Sequence, residues 1–255
     1  MRTYKDLHYK ETGDPSHSMN LYLPDEGDSF PVFVYFHGGG LVHGDANIVP
    51  HWPEYMTQKG VAVISAHYRL YPDAKFPEFL QDAADAILWA KTKMQEYCKV
   101  EKIYVGGSSA GGYISMMLCF DTQYLKGAGI DPMEISGYVF NAGQPTSHFN
   151  VIKEKGYSRD RIIVDEAAPL YYVGIEKQYP PMLFLVADND MKNRYEQNLL
   201  MMDTLRWNGH EDMEFHYLHA GHCGYDNRID ENGESIFGKF IFDFICRTSK
   251  KEERA

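Results

Sequence analysis

The stretch Ile103-Tyr-Val-Gly-Gly-Ser-Ser-Ala-Gly-Gly-Tyr113 decides the fold of this chain. It joins a short β-branched run to a glycine-rich turn and then to an apolar helical segment. Within it, Gly107-x-Ser109-x-Gly111 has the pattern of a nucleophile elbow, a strained strand-to-helix turn that presents a serine hydroxyl and leaves no room for bulky neighbours. Ser108 is the competing register, because small residues flank it as well. The sequence favours Ser109 as a nucleophile.

Outward from this turn, short apolar runs alternate with longer helical patterns. The runs predict six strands: Val32–Phe36, Val61–Ala66, Ile103–Val105, Tyr138–Phe140, Met182–Val186 and Phe215–Leu218. The helical patterns cover Pro77–Tyr97, Asn193–Trp207 and Glu234–Ile245. Strands separated by helices favour an α/β fold with a mostly parallel, doubly wound sheet. We expect a single domain over residues 1–255, with a small lid insertion at about 144–181, where the sequence shows no clean strand.

Composition limits the classes of function. The 255 residues include 44% hydrophobic and 24% charged residues, which is ordinary for a folded protein, and the net charge is −11. A negative surface repels phosphate backbones and anionic lipid, so we expect no nucleic-acid or membrane partner and leave a homo-oligomer open. No apolar run is long enough to cross a membrane. The four cysteines form no C-x-x-C pair and are typical of reduced thiols, which predicts a cytoplasmic protein.

A second glycine-rich segment, His37-Gly38-Gly39-Gly40, directly follows the first predicted strand. Acyl transfer needs N–H donors aimed at the oxyanion of the tetrahedral intermediate, and glycines let backbone N–H groups turn inward without obstruction. The sequence predicts such donors at Gly39, Gly40 and Ala110, the residue after the nucleophile, with Gly38 as a substitute for one of them. The alternative is a turn that merely ends a strand.

These motifs, together with Tyr68-Arg69-Leu70-x-Pro72 and Phe76-Pro77 between them, resemble the α/β-hydrolase fold, specifically its hormone-sensitive-lipase-like carboxylesterases. The resemblance runs from about Val32 to the C-terminus and implies ester hydrolysis without a metal or organic cofactor. Two features depart from the family. Only 36 residues precede His37, so the long N-terminal cap of typical members is missing, and Ser108 stands where many members have Asp.

The chain also resembles compact gut and soil bacterial acyl esterases, including acetyl and feruloyl esterases. This similarity implies a small-molecule substrate, a short-chain or aryl carboxylic ester, such as the acetyl or feruloyl esters of plant polysaccharides. An arylformamidase or peptidase with the same catalytic residues is one alternative. A non-catalytic ligand-binding module of the same fold is another.

A serine nucleophile needs a base and an orienting acid, which follow it in the order Asp, His in this fold. The family's acid maps onto Asp190, after the predicted strand Met182–Val186, and Asp188 is its rival. Gly221-His222 matches the family's Gly-His and makes His222 the base, with His219 as the less favoured candidate.

Two weaker predictions concern ligands. His216, His219 and His222 are spaced three apart, but on a strand they would alternate faces, so a metal site is disfavoured. Aromatic residues of the lid segment could line a substrate pocket, and we predict substrate contacts for His148, Tyr171 and Tyr172, although core packing explains aromatic residues equally well.

Overall fold

The computed structural model describes residues 1–47 and 51–252. Its centre is one eight-stranded sheet in the order β1-β2-β4-β3-β5-β6-β7-β8. The strands are β1 (Arg2–His8), β2 (Ser18–Leu23), β3 (Ser29–Phe36), β4 (Ala62–Ala66), β5 (Lys99–Ser108), β6 (Ile135–Asn141), β7 (Met182–Asn189) and β8 (Met213–Gly221). Strand β2 runs antiparallel to both its neighbours, whereas β3 to β8 are mutually parallel.

Seven α-helices lie in the described part of the chain: α1 (Trp52–Gln58), α2 (Glu78–Thr92), α3 (Ala110–Phe120), α4 (Gln123–Gly127), α5 (Phe149–Glu154), α6 (Arg194–Trp207) and α7 (Ile236–Glu252). Two separate apolar clusters cover the sheet, one with α2, α3 and α6 and the other with α1 and α7. The prediction of a mostly parallel, doubly wound α/β sheet is therefore confirmed.

The sheet register sets where the site lies. Phe36 at the end of β3 pairs with Gly107 on β5, and Ser108 pairs with Asn141 at the end of β6. Asn189 at the end of β7 pairs with Gly221 at the end of β8. Five parallel strands thus end at one edge of the sheet, which is where ligands bind in open α/β sheets. All the loops that carry the predicted site residues leave from this edge.

The N-terminal strands β1 and β2 were not predicted. Strand β1 is mostly exposed, and its register shifts between Tyr4 and Leu7, so it shows no clean alternation of apolar residues. The predicted strands at the core were found, and β5 extends from both ends of Ile103–Val105. The last predicted helix, Glu234–Ile245, begins at Ile236 and reaches Glu252.

Between β6 and β7, the predicted lid segment contains α5 and one 3-10 helix, Pro169–Tyr172. Within residues 1–47 and 51–252, no helix combines the length and the apolar character that a membrane crossing needs.

Candidate active site

The elbow between β5 and α3 holds Ser109 in a strained backbone conformation. Its φ of 56° lies in the left-handed region that residues other than glycine rarely adopt. A Cβ on Gly107 would lie 2.4 Å from the carbonyl carbon of Gly111, and a Cβ on Gly111 would lie 1.9 Å from the carbonyl oxygen of Phe36. Both glycines are therefore required by close backbone approach. The turn is tied to the sheet by the Ser109 N–H, which donates to the carbonyl of Asn141 at 2.8 Å.

The structure brings Ser109, His222 and Asp190 into one hydrogen-bonded chain. The Ser109 Oγ lies 2.7 Å from His222 Nε2, and His222 Nδ1 lies 2.5 Å from Asp190 Oδ1. An imidazole that donates from Nδ1 to a carboxylate leaves Nε2 free to accept the serine proton. The Asp190 side chain is 1% exposed and the His222 side chain 26%, so the acid is shielded while the base remains accessible. This arrangement fits general-base activation of a serine hydroxyl.

The rival residues occupy other positions. Asp188 binds His219, whose side chain is 91% exposed, and also accepts from the Ala220 N–H at 3.0 Å. His216 packs on Phe240. The histidines of the disfavoured metal site thus have separate partners, and the described residues contain no cluster of three or more potential metal ligands.

The His37–Gly40 segment passes directly over the elbow. A Cβ on Gly38 would lie 3.4 Å from the Cβ of Ser109. Gly39 and Gly40 have φ values of 122° and 64°, so this backbone path requires glycine. Ala110 is the first residue of α3, whose N–H has no partner within the helix. Among the described residues, the N–H groups of Gly39 and Gly40 also have no backbone acceptor. The three predicted oxyanion donors therefore remain free to bind an external oxygen.

Neighbouring side chains hold this loop in place. The ring of His37 stacks on Tyr68, and its Nδ1 lies 2.7 Å from the carbonyl oxygen of Gly38. Burial lowers the pKa of His37 to about 4, so the ring is neutral near pH 7 and donates from Nδ1. Asn150 Nδ2 donates to the carbonyl of Gly40 at 2.5 Å. These contacts explain why a His precedes the glycines and why the lid segment packs against them.

A buried polar network that no sequence motif predicted lies beneath the elbow. Ser108 Oγ donates to Asp226 Oδ2 at 2.7 Å, and Asn141 Nδ2 lies 2.7 Å from both Ser108 Oγ and Asp226 Oδ1. Tyr225 OH donates to Asn141 Oδ1 at 2.5 Å. Ser108 is therefore engaged with Asp226 and not with His222. The network joins the elbow, the end of β6 and the loop that carries His222, so it positions all three.

The carboxyl group of Asp226 is held in an unfavourable environment for its charge. Desolvation raises its pKa from 3.8 to about 6, against the hydrogen bonds from Ser108 and Asn141, which lower it. The residue as a whole keeps some exposed surface, so the desolvation is local to the carboxyl group. The ionised form is thus tolerated because it is hydrogen-bonded, at a cost in folding free energy.

We expect Asp226→Asn to change how the free energy of unfolding depends on pH. A carboxyl pKa that is higher in the folded state favours folding below about pH 4, and this contribution is lost as the pH rises through about 6. The shift of about two pKa units corresponds to at most about 3 kcal/mol. Relative to wild type, Asp226→Asn should therefore gain stability between pH 4 and 7 in urea unfolding curves.

Asp188→Asn is the matched control for that experiment. The hydrogen bond from His219 lowers the pKa of Asp188, so this variant should gain nothing relative to wild type as the pH rises. If the free energy of unfolding depends on pH in the same way for wild type and Asp226→Asn from pH 4 to 7, the pKa of Asp226 is not raised in the folded state.

The structure does not place the predicted substrate-contacting residues at Ser109. His148 is buried, caps α5 through its Nδ1, stacks on Phe149 and packs against Tyr113 at a tilt. Tyr172 interacts with Asp121, which follows the C-terminal end of α3, and Tyr171 is exposed beside it. Eleven residues of α3, about 16 Å, separate that end from Ser109. The 3-10 helix that carries Tyr171 and Tyr172 thus packs near the end of α3 that is far from Ser109, and substrate contacts for these two residues stay a prediction.

Comparisons with known proteins agree with this architecture. Residues 33–141 match the model of a protein family whose description is "alpha/beta hydrolase fold". An AB hydrolase superfamily protein of Schizosaccharomyces pombe is 33% identical over 109 residues, which cover 42% of this chain and 32% of that protein. Probable carboxylesterase 8 of Arabidopsis thaliana is 29% identical over 168 residues, 58% of this chain and 47% of that protein. The chain thus spans less than half the length of these curated relatives.

Solved structures match nearly the whole chain. Esterase B from Lactobacillus rhamnosis superposes with a TM-score of 0.82 at 17% identity and covers 99% of this chain and 88% of that one. A truncated carbohydrate esterase from gut microbiota gives a TM-score of 0.77 at 17% identity, with coverage of 98% and 97%. At such identity the likeness establishes the fold alone. The predicted α/β-hydrolase fold and the resemblance to its carboxylesterases are confirmed.

Proposed function

We propose that this α/β-hydrolase-fold chain is a serine carboxylesterase that acts on short-chain or aryl esters. The observation that carries the proposal is the chain from Ser109 Oγ through His222 to the shielded Asp190, under a loop with free N–H groups. A nucleophile, a base, an orienting acid and oxyanion donors are the four parts that acyl transfer requires.

The residues divide the reaction into two steps. Ser109 Oγ attacks the ester carbonyl while its proton passes to His222 Nε2, and the alcohol leaves with that proton as the C–O bond breaks. Water then attacks the acyl-enzyme, gives a proton to His222, and releases the carboxylic acid as Ser109 recovers its proton. In both steps the N–H groups of Gly39, Gly40 and Ala110 stabilise the negative carbonyl oxygen.

The preference for short acyl groups rests on the segment between β6 and β7. Helix α5 has six residues, and the 3-10 helix Pro169–Tyr172 has four. Among the described residues of this segment, no long apolar helix is available to shelter a lipid tail. Acetyl or aryl esters, including acetyl and feruloyl esters of plant polysaccharides, are the substrate classes we propose to test first. A small-molecule ester is the partner this function requires.

Labelling with a fluorophosphonate, followed by peptide mapping, tests the proposal at the level of the nucleophile. We expect the label on Ser109 and not on Ser108, because only Ser109 Oγ is bound to an imidazole. Turnover should then decrease along the series 4-nitrophenyl acetate, butyrate and octanoate. Methyl ferulate tests the aryl esters in the same assay. A folded protein that neither takes the label nor hydrolyses any ester would point to a ligand-binding module. Faster turnover of N-formylkynurenine or a peptide amide than of every ester would point to a formamidase or peptidase.

A further inference from the structure

A cavity of about 460 Å³ opens beside the catalytic residues. Its walls come from the segment after β6, the loop that follows α5, and the turn after Asp190. The lining residues are Gln144, Phe149, Arg159, Asp160, Arg161, Ile162, Met191, Lys192, Asn193, Arg194 and Gln197. Its size suits a small organic group.

The cavity adjoins the site on two sides. Phe149 lies on one wall, and its ring would be 3.6 Å from a Cβ on Gly40, next to the oxyanion donors. Met191 lies on the other wall, and its N–H donates to Asp190 Oδ1 at 2.6 Å. Neither Ser109 nor His222 lines the cavity. A substrate whose ester bond lies at Ser109 can therefore place only a more distant part in this space.

Positive charge dominates the walls, although the chain as a whole carries a net charge of −11. Four cationic side chains line the cavity, Arg159, Arg161, Lys192 and Arg194, against one carboxylate, Asp160. Elsewhere in the described structure, many Lys and Arg side chains form ion pairs, but none of these four has a carboxylate within 4 Å among the described residues. The cations are concentrated and unpaired at one place.

Arg194 is the most informative of the four because it is 3% exposed. Its guanidinium donates to the carbonyl oxygen of Ala142 at 2.6 Å and to Gln144 Oε1 at 3.2 Å, both neutral acceptors. A buried charge is costly even when it is hydrogen-bonded. Burial lowers the pKa of Arg194, and the negative charge of Asp190, which lies beyond 4 Å, offsets this only in part. An anion bound in the cavity would add to the compensation that Asp190 gives.

Arg159 and Arg161 face solvent but are braced by aromatic rings. The guanidinium of Arg159 lies 4.7 Å from the centre of the Phe149 ring, and that of Arg161 lies 4.8 Å from the centre of the Tyr157 ring. Stacking leaves the planar edge of each guanidinium available, and this edge matches a carboxylate through two parallel hydrogen bonds.

From this cavity we infer that the ester substrate carries a carboxylate group away from its scissile bond, and that Arg159, Arg161, Lys192 and the buried Arg194 bind that group. The inference rests on the proposed esterase function and narrows its substrate class to acidic esters. The Nε2 amide of Gln197, whose Oε1 accepts a hydrogen bond from Thr146 Oγ1, suits a neighbouring hydroxyl or carbonyl group of the same substrate.

Two matched pairs of esters test the inference for either side of the ester bond. Phenyl acetate and 4-acetoxybenzoate differ by a carboxylate on the leaving group. 4-Nitrophenyl hexanoate and the mono-4-nitrophenyl ester of adipic acid differ by a carboxylate on the acyl group. At about 0.15 M salt, where remote charges are largely screened, we expect kcat/KM to be at least about tenfold higher for the acidic member of one pair. This ratio corresponds to about 1.4 kcal/mol.

The double variant R159Q/R161Q should lower the ratio of kcat/KM between the acidic and the neutral ester of that pair to about one or below. The control K5Q/K93Q removes the same charge from exposed positions that do not line the cavity, and it should keep the wild-type ratio. Neutral esters that are hydrolysed well, with neither acidic partner preferred, would overturn the inference and leave the esterase function intact. An equal fall in the ratio in both variants would also overturn it, because the preference would then come from overall charge. If no ester is hydrolysed and Ser109 takes no fluorophosphonate, the esterase function fails and this inference fails with it.

Discussion

Ser109→Ala is expected to lower kcat for a short-chain ester by about 10⁵- to 10⁶-fold, the loss typical of removing a nucleophile from an assembled triad. The Oγ atom is the only group at the elbow bound to His222 Nε2, so no neighbouring atom can replace it. Alanine has the same backbone preferences as serine at this strained φ, and the change removes one hydrogen bond. We therefore expect the free energy of unfolding to change by only about 1 kcal/mol.

Ser108→Ala is the matched control for this prediction. It removes a neighbouring hydroxyl from the same turn and leaves Asp226 Oδ2 without the hydrogen bond that it accepts. This variant should be less stable by about 1–3 kcal/mol but should retain most of its turnover and its fluorophosphonate labelling. Kinetics and thermal unfolding of both variants decide between the two serines. If folded Ser109→Ala keeps more than a small fraction of activity while Ser108→Ala loses it, the assignment of the nucleophile is wrong.

The interior of the fold was predictable because its signals are local. Strands β3, β5, β6 and β7 are buried on both faces, which makes them continuous apolar runs that are visible in the sequence. The elbow and the HGGG segment were visible for a different reason. Close backbone approach at Gly107, Gly111 and Gly39 excludes any side chain, and the sequence must therefore show glycine there.

What the sequence did not show depends on contacts between distant segments. Strand β1 forms by pairing with β2. Its own residues are mostly exposed, so the sequence shows no apolar pattern that would predict a strand there. Asp226 joins Ser108 and Asn141 from 118 and 85 residues away. An Asp four residues after His222 was the only available signal, and Asp is common in such loops for reasons of turn geometry alone.

The cationic cavity was hidden for the same reason. Arg159 and Arg161 belong to the lid segment, and Lys192 and Arg194 follow the catalytic acid, so only the folded chain brings them together. In the sequence, the aromatic residues of the lid segment were the visible candidates, and they predicted substrate contacts for Tyr171 and Tyr172. The structure instead brings the segment's basic residues toward the site and carries those tyrosines to the other end of α3.

The second large effect is expected at the acid. Asp190→Asn should lower kcat by about 10³- to 10⁴-fold, because an amide neither fixes the imidazole tautomer nor stabilises the imidazolium that forms in both steps. The effect should appear in kcat and kcat/KM alike, since Asp190 acts through His222 and does not contact the substrate. Steady-state kinetics with 4-nitrophenyl acetate measure it, and circular dichroism confirms that the variant is folded.

The chain provides an unusually close control for that experiment, because two residues upstream Asp188 also binds a histidine. The two carboxylates leave the same strand end and make the same kind of bond, yet His219 is 91% exposed and has no serine partner, whereas His222 reaches Ser109. Asp188→Asn should therefore change kcat by less than about threefold, and the amide oxygen of Asn can still accept from the Ala220 N–H. A large loss of kcat in folded Asp188→Asn, with Asp190→Asn nearly unaffected, would reassign the acid. Equal large losses would mean that the turn as a whole, and not one carboxylate, orients the base.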